Sequence, residues 1–220
     1  LASIASVSLL QIQSRTHDAA KGTMATVHGG VVQSTESVGC APGTRVLVQD
    51  LFYNVPPRKK YLKRTSTELG HCLDVVQDLS LVYPAVQFRV SHQDKLVFKT
   101  SGSGVGQDAL VALFGKDILQ DVLTVDTPGL GVSIPGVLSV GVSGWVSKPM
   151  AHRASRDRQR FYVNGRAVRL PMLGRAVEDA YKDTMPGGRY PLAVLFIEVA
   201  PTTVDVNVHP TKREVKFADA

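Results

Sequence analysis

The sequence is poor in cysteine, and this limits the kinds of site that it can form. Cys40 and Cys72 are its only two cysteines. They make no Cys-X-X-Cys pair, and no histidine completes a metal-ligand spacing with them. A disulfide framework or a zinc site needs more such residues, so neither is expected. We predict two buried or half-buried thiols in a reducing compartment.

The sequence also lacks long apolar runs, and we do not expect a signal peptide. The longest apolar run spans Leu192 to Ile197, which suits a strand, whereas a membrane helix needs about 20 residues. The run Leu1 to Leu10 has no basic flank before it and no small-residue cleavage site after it, so we do not expect secretion. Because the first residue is Leu1 and not Met, we expect a processed chain or a fragment.

The sequence carries no large excess of one charge. Its 25 Lys and Arg residues exceed its 19 Asp and Glu residues, which gives a net charge of +6. This mild balance permits a polyanionic partner without requiring one. Hydrophobic residues make up 44% of the 220 residues, as in ordinary globular proteins. The length suits one large domain or two small ones.

Hydrophobic patterning in the first half predicts strands followed by helices. Residues 8–16, 23–33 and 44–52 alternate apolar and polar side chains, which is typical of half-buried strands. Pro56 and Pro57 suit the first turn of a helix, which has no use for their missing N–H groups. For the helix that follows, we expect one buried face consisting of Leu69, Cys72, Leu73, Val76, Leu79 and Tyr83.

Residues 101–106 read Ser-Gly-Ser-Gly-Val-Gly and allow two interpretations. A Gly-X-Gly-X-X-Gly loop can hold a phosphate, but the last glycine is misplaced for that role. A linker explains the composition better. We therefore predict one domain over 1–100, a linker over 101–106 and a second domain over 107–220.

The second half mixes strands and helices. Its predicted elements are, in chain order, a helix over 107–114, strands over 119–125 and 136–146, a hairpin over 161–169, a helix over 173–181, and strands over 192–199 and 204–208. The hairpin turns at Asn164-Gly165, the strongest short hairpin signal. This mixture predicts an α+β fold.

Three stretches are more specific than composition. They run, in chain order, from Gly43 to Leu62 (GTRVLVQDLFYNVPPRKKYL), from Phe161 to Arg166 (FYVNGR) and from Val204 to Phe217 (VDVNVHPTKREVKF). All three closely resemble the MutL family of DNA mismatch-repair proteins, in the same order and at compatible spacings. The opening residues LASIASV resemble those that follow the family's ATP-lid glycine motif, so the resemblance covers essentially the whole chain.

The resemblance implies a fold, an activity and partners. The implied fold is α+β: part of the ATPase sandwich of gyrase, chaperone, histidine-kinase and MutL proteins, followed by a ribosomal-protein-like transducer domain. The implied function is an ATP-dependent matchmaker that dimerises through its ATPase domains around DNA and connects a MutS-type mismatch sensor to strand processing. Homodimer and heterodimer both remain open. We expect a cytoplasmic or nucleoid location in a bacterium and a nuclear one in a eukaryote.

Two positions of the chain match nucleotide-binding positions of the family. Thr44 matches the threonine whose hydroxyl lies by the adenine-binding carboxylate, and Lys212 matches the lysine that reaches the γ-phosphate. Taken alone, Gly43-Thr44 is typical of a turn that enters a strand, and an exposed lysine is usually a solvated charge. Pro210 stops strand pairing and constrains the chain before Lys212, which favours a fixed point charge.

Other parts of the family's active site have no match in this chain. The resemblance implies that the catalytic Glu, the Mg²⁺-binding Asn, the adenine-binding Asp and the ATP lid lie upstream of Leu1. We therefore expect ATP and Mg²⁺ as cofactors that need those upstream residues. We predict no catalytic residue and no metal ligand in this chain, and no activity of this chain alone.

Basic residues concentrate between Lys148 and Arg175, where eight Lys or Arg residues accompany one acid, Asp157. Such a strip suits salt-sensitive contacts with phosphates, although a solvated surface loop gives the same composition. The family pattern has a DNA-contacting arginine where this sequence has Pro171. We name Arg166 and Arg169 as the candidate DNA contacts.

Two other functions remain open at this point. One is a non-enzymatic DNA-binding or scaffold module that is rich in arginine. The other is the transducer of a related type II topoisomerase or heat-shock chaperone, which the Asn-Gly-Arg and His-Pro stretches do not favour.

Overall fold

The computed structural model describes residues 1–127 and 140–200, together with the backbone of 204–205 and 216–217. Contacts divide the chain into two compact units, Leu1–Leu69 and Gly70–Ala220. The domain limits predicted from the sequence stay a prediction: one domain over 1–100, a linker, and a second domain over 107–220. The predicted α+β class is confirmed, since both helices and sheets are present.

An antiparallel sheet dominates the first unit. Its strand order is β3-β2-β1-β4. The elements are α1 (Ala2–Ala5), β1 (Leu9–Arg15), β2 (Gly22–His28), β3 (Val31–Val38), β4 (Gly43–Gln49) and α2 (Pro56–Lys60). The two prolines at the start of α2 occupy the helix positions that the sequence predicted for them.

The strand predicted over 23–33 is wrong, because the chain turns within it. Gly29 and Gly30 have φ angles of 56° and 90°, which favour glycine and close a turn. The valines after the turn therefore begin a separate strand that pairs back along β2. The strand predicted over 44–52 ends early for a related reason, since Asp50 and Phe52 also have positive φ angles.

Helix α3 (Thr65–Val82) is confirmed as an element, but its predicted buried face is partly wrong. Cys72 is exposed, and Leu79 and Tyr83 are 40% and 52% exposed. The buried residues of this helix are Ser80 and Leu81. Burial of Cys72 was therefore a wrong prediction, while Cys40 is half-buried.

The second unit contains a five-stranded sheet with order β10-β9-β11-β8-β7. After α3 its elements are β5 (Arg89–His92), β6 (Lys95–Lys99), α4 (Gly106–Phe114), α5 (Ile118–Asp121), β7 (Val122–Thr127), β8 (Val140–Ser147), β9 (Gln159–Val163), β10 (Arg166–Val168), α6 (Pro171–Ala180), β11 (Ala193–Val199), β12 (Val204–Asp205) and β13 (Lys216–Phe217). In the five-stranded sheet β11 runs parallel to β9, and the other pairs are antiparallel.

A helical turn replaces the beginning of the strand predicted over 119–125. Helix α5 ends at Asp121, and β7 starts only at Val122. Ile118 and Val122 both pack in the same apolar cluster. One helical turn places residues i and i+4 on the same side, so the turn keeps both side chains in this cluster.

Side chains cover both faces of the five-stranded sheet. On one face Leu195 and Ile197 of β11 pack with Leu173 and Val177 of α6. On the other face Val194 packs in a cluster that includes residues of α3 and α4. Burial on both faces explains why β11 is a continuous apolar run, as predicted.

The glycine-rich segment 101–106 is tied to its neighbours. The hydroxyl groups of Ser101 and Ser103 both donate to Asp108 Oδ2 of α4, at 3.2 and 2.6 Å. A Cβ on Gly106 would lie 2.6 Å from the ring of Trp145, so close packing accounts for this glycine. The Asp108 carboxylate already accepts both hydroxyls, which disfavours a phosphate at this segment.

Candidate functional site

Thr44 lies at the start of β4, beside the end of β1. Thr44 lies opposite Ser14 in the antiparallel β1–β4 pair, and the hydroxyl oxygens of the two side chains are 2.8 Å apart. Both residues are exposed. Gly43 precedes Thr44 with a φ of 119°, a conformation that favours glycine. The pair presents two hydroxyl groups, each able to donate and accept a hydrogen bond, to an approaching ligand.

Lys212 lies outside the described residues. The short strands on either side of it, β12 and β13, form an antiparallel pair in which Asp205 lies opposite Lys216. The predicted role of Lys212 stays a prediction.

Arg166 and Arg169 flank the edge strand of the five-stranded sheet. Both residues are exposed, and neither makes an ion pair with another described residue. Arg166 opens β10 directly after the predicted Asn164-Gly165 turn, in which both residues have positive φ angles. The predicted hairpin is confirmed, with Arg166 at the start of β10 and Arg169 one residue beyond its end.

Asn164 also fixes this hairpin in a way that the sequence did not reveal. Its Nδ2 donates to the carbonyl oxygen of Val199 at 3.0 Å, and its Oδ1 accepts from the Val199 N–H at 3.1 Å. The two bonds tie the turn to the end of β11. The exposed Arg166 therefore follows a turn that the Asn164 side chain anchors to β11.

The basic strip between Lys148 and Arg175 is less uniform than its composition suggests. Arg156 Nε and Nη2 donate to the two carboxylate oxygens of Glu178 at 2.6 and 2.9 Å. The Arg156 guanidinium also lies over the Tyr190 ring, 4.5 Å from its centre. Hydrogen bonding and charge from Arg156 hold the pKa of the Glu178 carboxyl below its ordinary value. Arg156 is therefore engaged within the protein.

Arg160 is engaged more deeply. Its Nη1 donates to Asp78 Oδ1 at 2.6 Å, and its Nη2 donates to Gln77 Oε1 at 2.9 Å. The buried hydroxyl of Tyr162 donates to the same Asp78 oxygen at 2.9 Å. Burial, and then the charge of Asp78, raise the pKa of Tyr162 above its ordinary value. This network holds α3 against β9.

A cleft of about 660 Å³ lies beside these arginines in the second unit. The charged side chains that line it are Asp74, Asp78, Arg156, Asp157, Arg160, Arg169, Arg175 and Glu178. Positive and negative groups are equal in number, so the formal charge of the cleft is balanced. Whether the cleft attracts a charged ligand depends on which of these groups are already in ion pairs.

Two further features concern metals and membranes. Among the described residues, no group of three or more His, Cys, Asp or Glu side chains is arranged to hold a metal ion. Within the same residues, no helix is both long and apolar enough to cross a bilayer.

Comparison with known proteins identifies the family. Residues 110–220 match the family model described as DNA mismatch repair protein, C-terminal domain. That match covers half of the chain. The chain belongs to this DNA mismatch repair family.

Relatives within the family carry the name MutL. The chain is 42% identical over 218 residues to the DNA mismatch repair protein MutL of Halothermothrix orenii, covering 99% of the chain and 33% of that protein. The chain thus spans about a third of the length of the curated relatives it matches. The resemblance to MutL drawn from the three sequence stretches is confirmed.

Solved structures of DNA repair proteins have a similar fold. The N-terminal domain of a DNA repair protein is similar with a TM-score of 0.83 and 26% identity, over 99% of this chain and 68% of that one. The Aquifex aeolicus MutL ATPase domain, solved with ADP, is similar with a TM-score of 0.71 and 24% identity, over 90% of this chain and 70% of that one. The predicted partial ATPase sandwich and transducer fold is confirmed. The family and its relatives do not favour the two alternatives, a non-enzymatic DNA-binding or scaffold module and the transducer of a related type II topoisomerase.

Proposed function

We propose that the protein is a MutL-type ATPase of DNA mismatch repair, which dimerises on binding ATP and connects mismatch recognition to strand processing. The observation that carries this proposal is the 42% identity to a curated MutL protein over 99% of the chain. DNA and a MutS-type sensor are the proposed partners, and the dimer joins either identical or different subunits.

Thr44 is proposed to contact the adenine side of the nucleotide. The exposed hydroxyl groups of Thr44 and Ser14 support this role. They hydrogen-bond to each other at the end of the β1–β4 pair, and this contact orients the lone pairs and protons that can bind a ligand. ATP binding needs further groups for its phosphates and for Mg²⁺. Among the described residues, no cluster of metal ligands occurs.

Lys212 is proposed to contact the γ-phosphate. A charge-assisted contact contributes about 1.5–3 kcal/mol, or about 10- to 100-fold in preference for ATP over ADP. Binding of the terminal phosphate would then shift the equilibrium toward the closed, dimeric state.

Lys212→Ala in the full-length protein tests the nucleotide proposal. We expect ATP-dependent dimerisation, measured by light scattering with a non-hydrolysed ATP analogue, to weaken about tenfold or more. The affinity for ADP should stay nearly unchanged, because ADP lacks the terminal phosphate. Equal loss of both nucleotides would contradict the role of Lys212. Absence of ATP hydrolysis and of ATP-dependent dimers in the unaltered protein would contradict the function itself.

Arg166 and Arg169 are proposed to contact the DNA backbone. Both are exposed and unpaired among the described residues, in contrast to Arg156 and Arg160. Replacing both by alanine should weaken binding to duplex DNA. It should also lower the slope of log affinity against log salt by about 0.9 for each lost phosphate contact. An unchanged slope would remove these residues as DNA contacts.

A further inference from the structure

The arginines around the cleft of the second unit differ in how far their charges are already neutralised. Arg156 and Arg160 line it but are committed to carboxylates, as described above. Arg169 and Arg175 line the same cleft, are exposed, and make no ion pair with any other described residue. We call Arg156 and Arg160 the paired side of the cleft, and Arg169 and Arg175 its open side.

Arg156 and Arg160 engage two of the four acidic groups of the cleft, Glu178 and Asp78, and the charge of Arg175 also contributes to the lowered pKa of Glu178. Glu178 stands one helical turn after Arg175 on α6, a spacing at which an arginine and a glutamate can pair. Both oxygens of Glu178 nevertheless accept from Arg156. Asp78 accepts from Arg160 and Tyr162, and Asp157 Oδ1 accepts from the Ser155 hydroxyl at 2.5 Å.

Close packing fixes Arg175 relative to the strands. Gly174 is buried, and a Cβ at this position would lie 3.0 Å from Gln159 Oε1 of β9. The glycine leaves room for the Gln159 side chain beside α6. Arg175, the next residue, is held at the wall of the cleft by the helix backbone, and Arg169 precedes the same helix by two residues.

We propose that Arg169 and Arg175 together bind one phosphodiester group of a nucleic-acid backbone at the open side of this cleft. Two guanidinium groups supply planar, bidentate donors that match phosphate oxygens. Of the carboxylates in the cleft, Glu178 and Asp78 already form close ion pairs with Arg156 and Arg160, and neither Arg169 nor Arg175 is held in this way. This assignment rests on the proposed DNA binding and extends it to Arg175, which ends the basic strip but lies outside the three sequence stretches that resemble MutL.

Arg175→Ala in the full-length protein tests this assignment, with binding to a fluorescent 20-base-pair duplex measured over a range of salt concentrations. We expect about tenfold weaker binding at low salt. The slope of log affinity against log salt should fall by about 0.9, the value for one phosphate contact. Arg175→Lys should restore the slope but only part of the affinity, since lysine lacks the bidentate geometry.

Arg189→Ala is the matched control. Arg189 is exposed, makes no ion pair with another described residue and does not line the cleft. This variant should leave the slope unchanged. If Arg189→Ala and Arg175→Ala weaken binding equally, the effect is one of general charge and the assignment is overturned.

A double variant tests whether the two arginines share one phosphate. Arg169→Ala combined with Arg175→Ala should weaken binding less than the product of the two single effects, because the second change removes a contact to a phosphate already lost. Fully independent effects would overturn the shared site.

The same titrations separate this inference from the proposed function. If the unaltered protein binds duplex DNA with a steep salt slope that Arg166→Ala lowers but Arg175→Ala does not, only the inference is overturned. If the unaltered protein shows no salt-dependent binding to DNA, the proposed DNA binding and the inference are both overturned.

Discussion

The two sheets of the molecule differ in how completely side chains cover them. Val194, in the five-stranded sheet of the second unit, is fully buried, whereas Val48, in the four-stranded sheet of the first unit, is 39% exposed. Apolar clusters cover both faces of the second sheet, and β3 and β4 of the first sheet contain no fully buried side chain. Burial energy is therefore concentrated in the second unit, while the first presents its strands and the Thr44 hydroxyl at the surface.

Replacing one glycine in each sheet should give the largest difference in stability between the two sheets. Gly144 of β8 has a φ of 129°, and a Cβ there would collide with the carbonyl oxygen of Val194. Gly144→Ala should lower the free energy of unfolding by about 4 kcal/mol, because backbone strain and overpacking add. Fluorescence of Trp145, the single tryptophan, reports this in a urea titration.

Gly43 of β4 is the matched control for this change. It has a φ of 119° and nothing within 4 Å of a built Cβ. Gly43→Ala should cost only the backbone strain of about 1 kcal/mol. If the two substitutions lower the free energy of unfolding equally, the two sheets are packed alike.

Arginines give the next contrast. Arg160→Gln should lower the free energy of unfolding by about 3 kcal/mol, because it leaves the Asp78 carboxylate in place without its cation. Arg45 of β4 is exposed and makes no ion pair with another described residue. Arg45→Gln should change the same free energy by no more than about 0.5 kcal/mol. A small effect of Arg160→Gln in urea titrations would refute the structural role of the network.

Valines of the two sheets isolate the effect of burial alone. Val194→Ala should cost about 2 kcal/mol, since it removes buried methyl groups and leaves a cavity. Val48→Ala should cost less than about 1 kcal/mol, because its side chain remains partly in water. Thermal unfolding of the two variants checks this order, and a reversed order would contradict the burial pattern.

Tyrosines give the smallest contrast, which appears at alkaline pH. Unfolded Tyr162 loses its proton near pH 10, whereas the folded state retains it because burial raises its pKa. The unfolded state then binds fewer protons, so stability present below pH 10 is lost as the pH rises above it. Tyr162→Phe should make this fall shallower, at a cost near pH 7 of about 1 kcal/mol for the lost hydrogen bond.

Tyr61, which is 79% exposed, serves as the control for this substitution. Tyr61→Phe should change the free energy of unfolding at pH 7 by no more than about 0.5 kcal/mol, because its side chain lies in water. The prediction for Tyr162 fails if Tyr162→Phe follows the pH profile of the unaltered chain.

Local sequence signals predicted the elements that local chemistry decides. The Asn164-Gly165 turn and the apolar run of β11 were found because a turn type and two-sided burial each have a direct signature in the residues. The Gly29-Gly30 turn carried such a signature too, but the valines on both sides of it resembled one continuous strand.

Features that depend on distant partners were not predictable from the sequence. The inner face of α3 carries Asp78, whose partner Arg160 lies 82 residues away, so hydrophobic periodicity favoured the wrong residues. Arg156 pairs with Glu178, 22 residues away, and this pairing divides the basic strip into engaged and open arginines. Composition shows how much charge a segment has, but only the fold shows which charges remain open to a ligand.

The central claim is that the exposed four-stranded sheet contacts the nucleotide, while the buried five-stranded sheet serves as a scaffold. Amide hydrogen exchange of the full-length protein, measured with and without a non-hydrolysed ATP analogue, tests this claim most directly. We predict slower exchange at β4 and at the end of β1 around Thr44 and Ser14 when the analogue is present, with β9 and β11 strongly protected in both conditions. Unchanged exchange around Thr44, or nucleotide protection confined to the second sheet, would contradict this division.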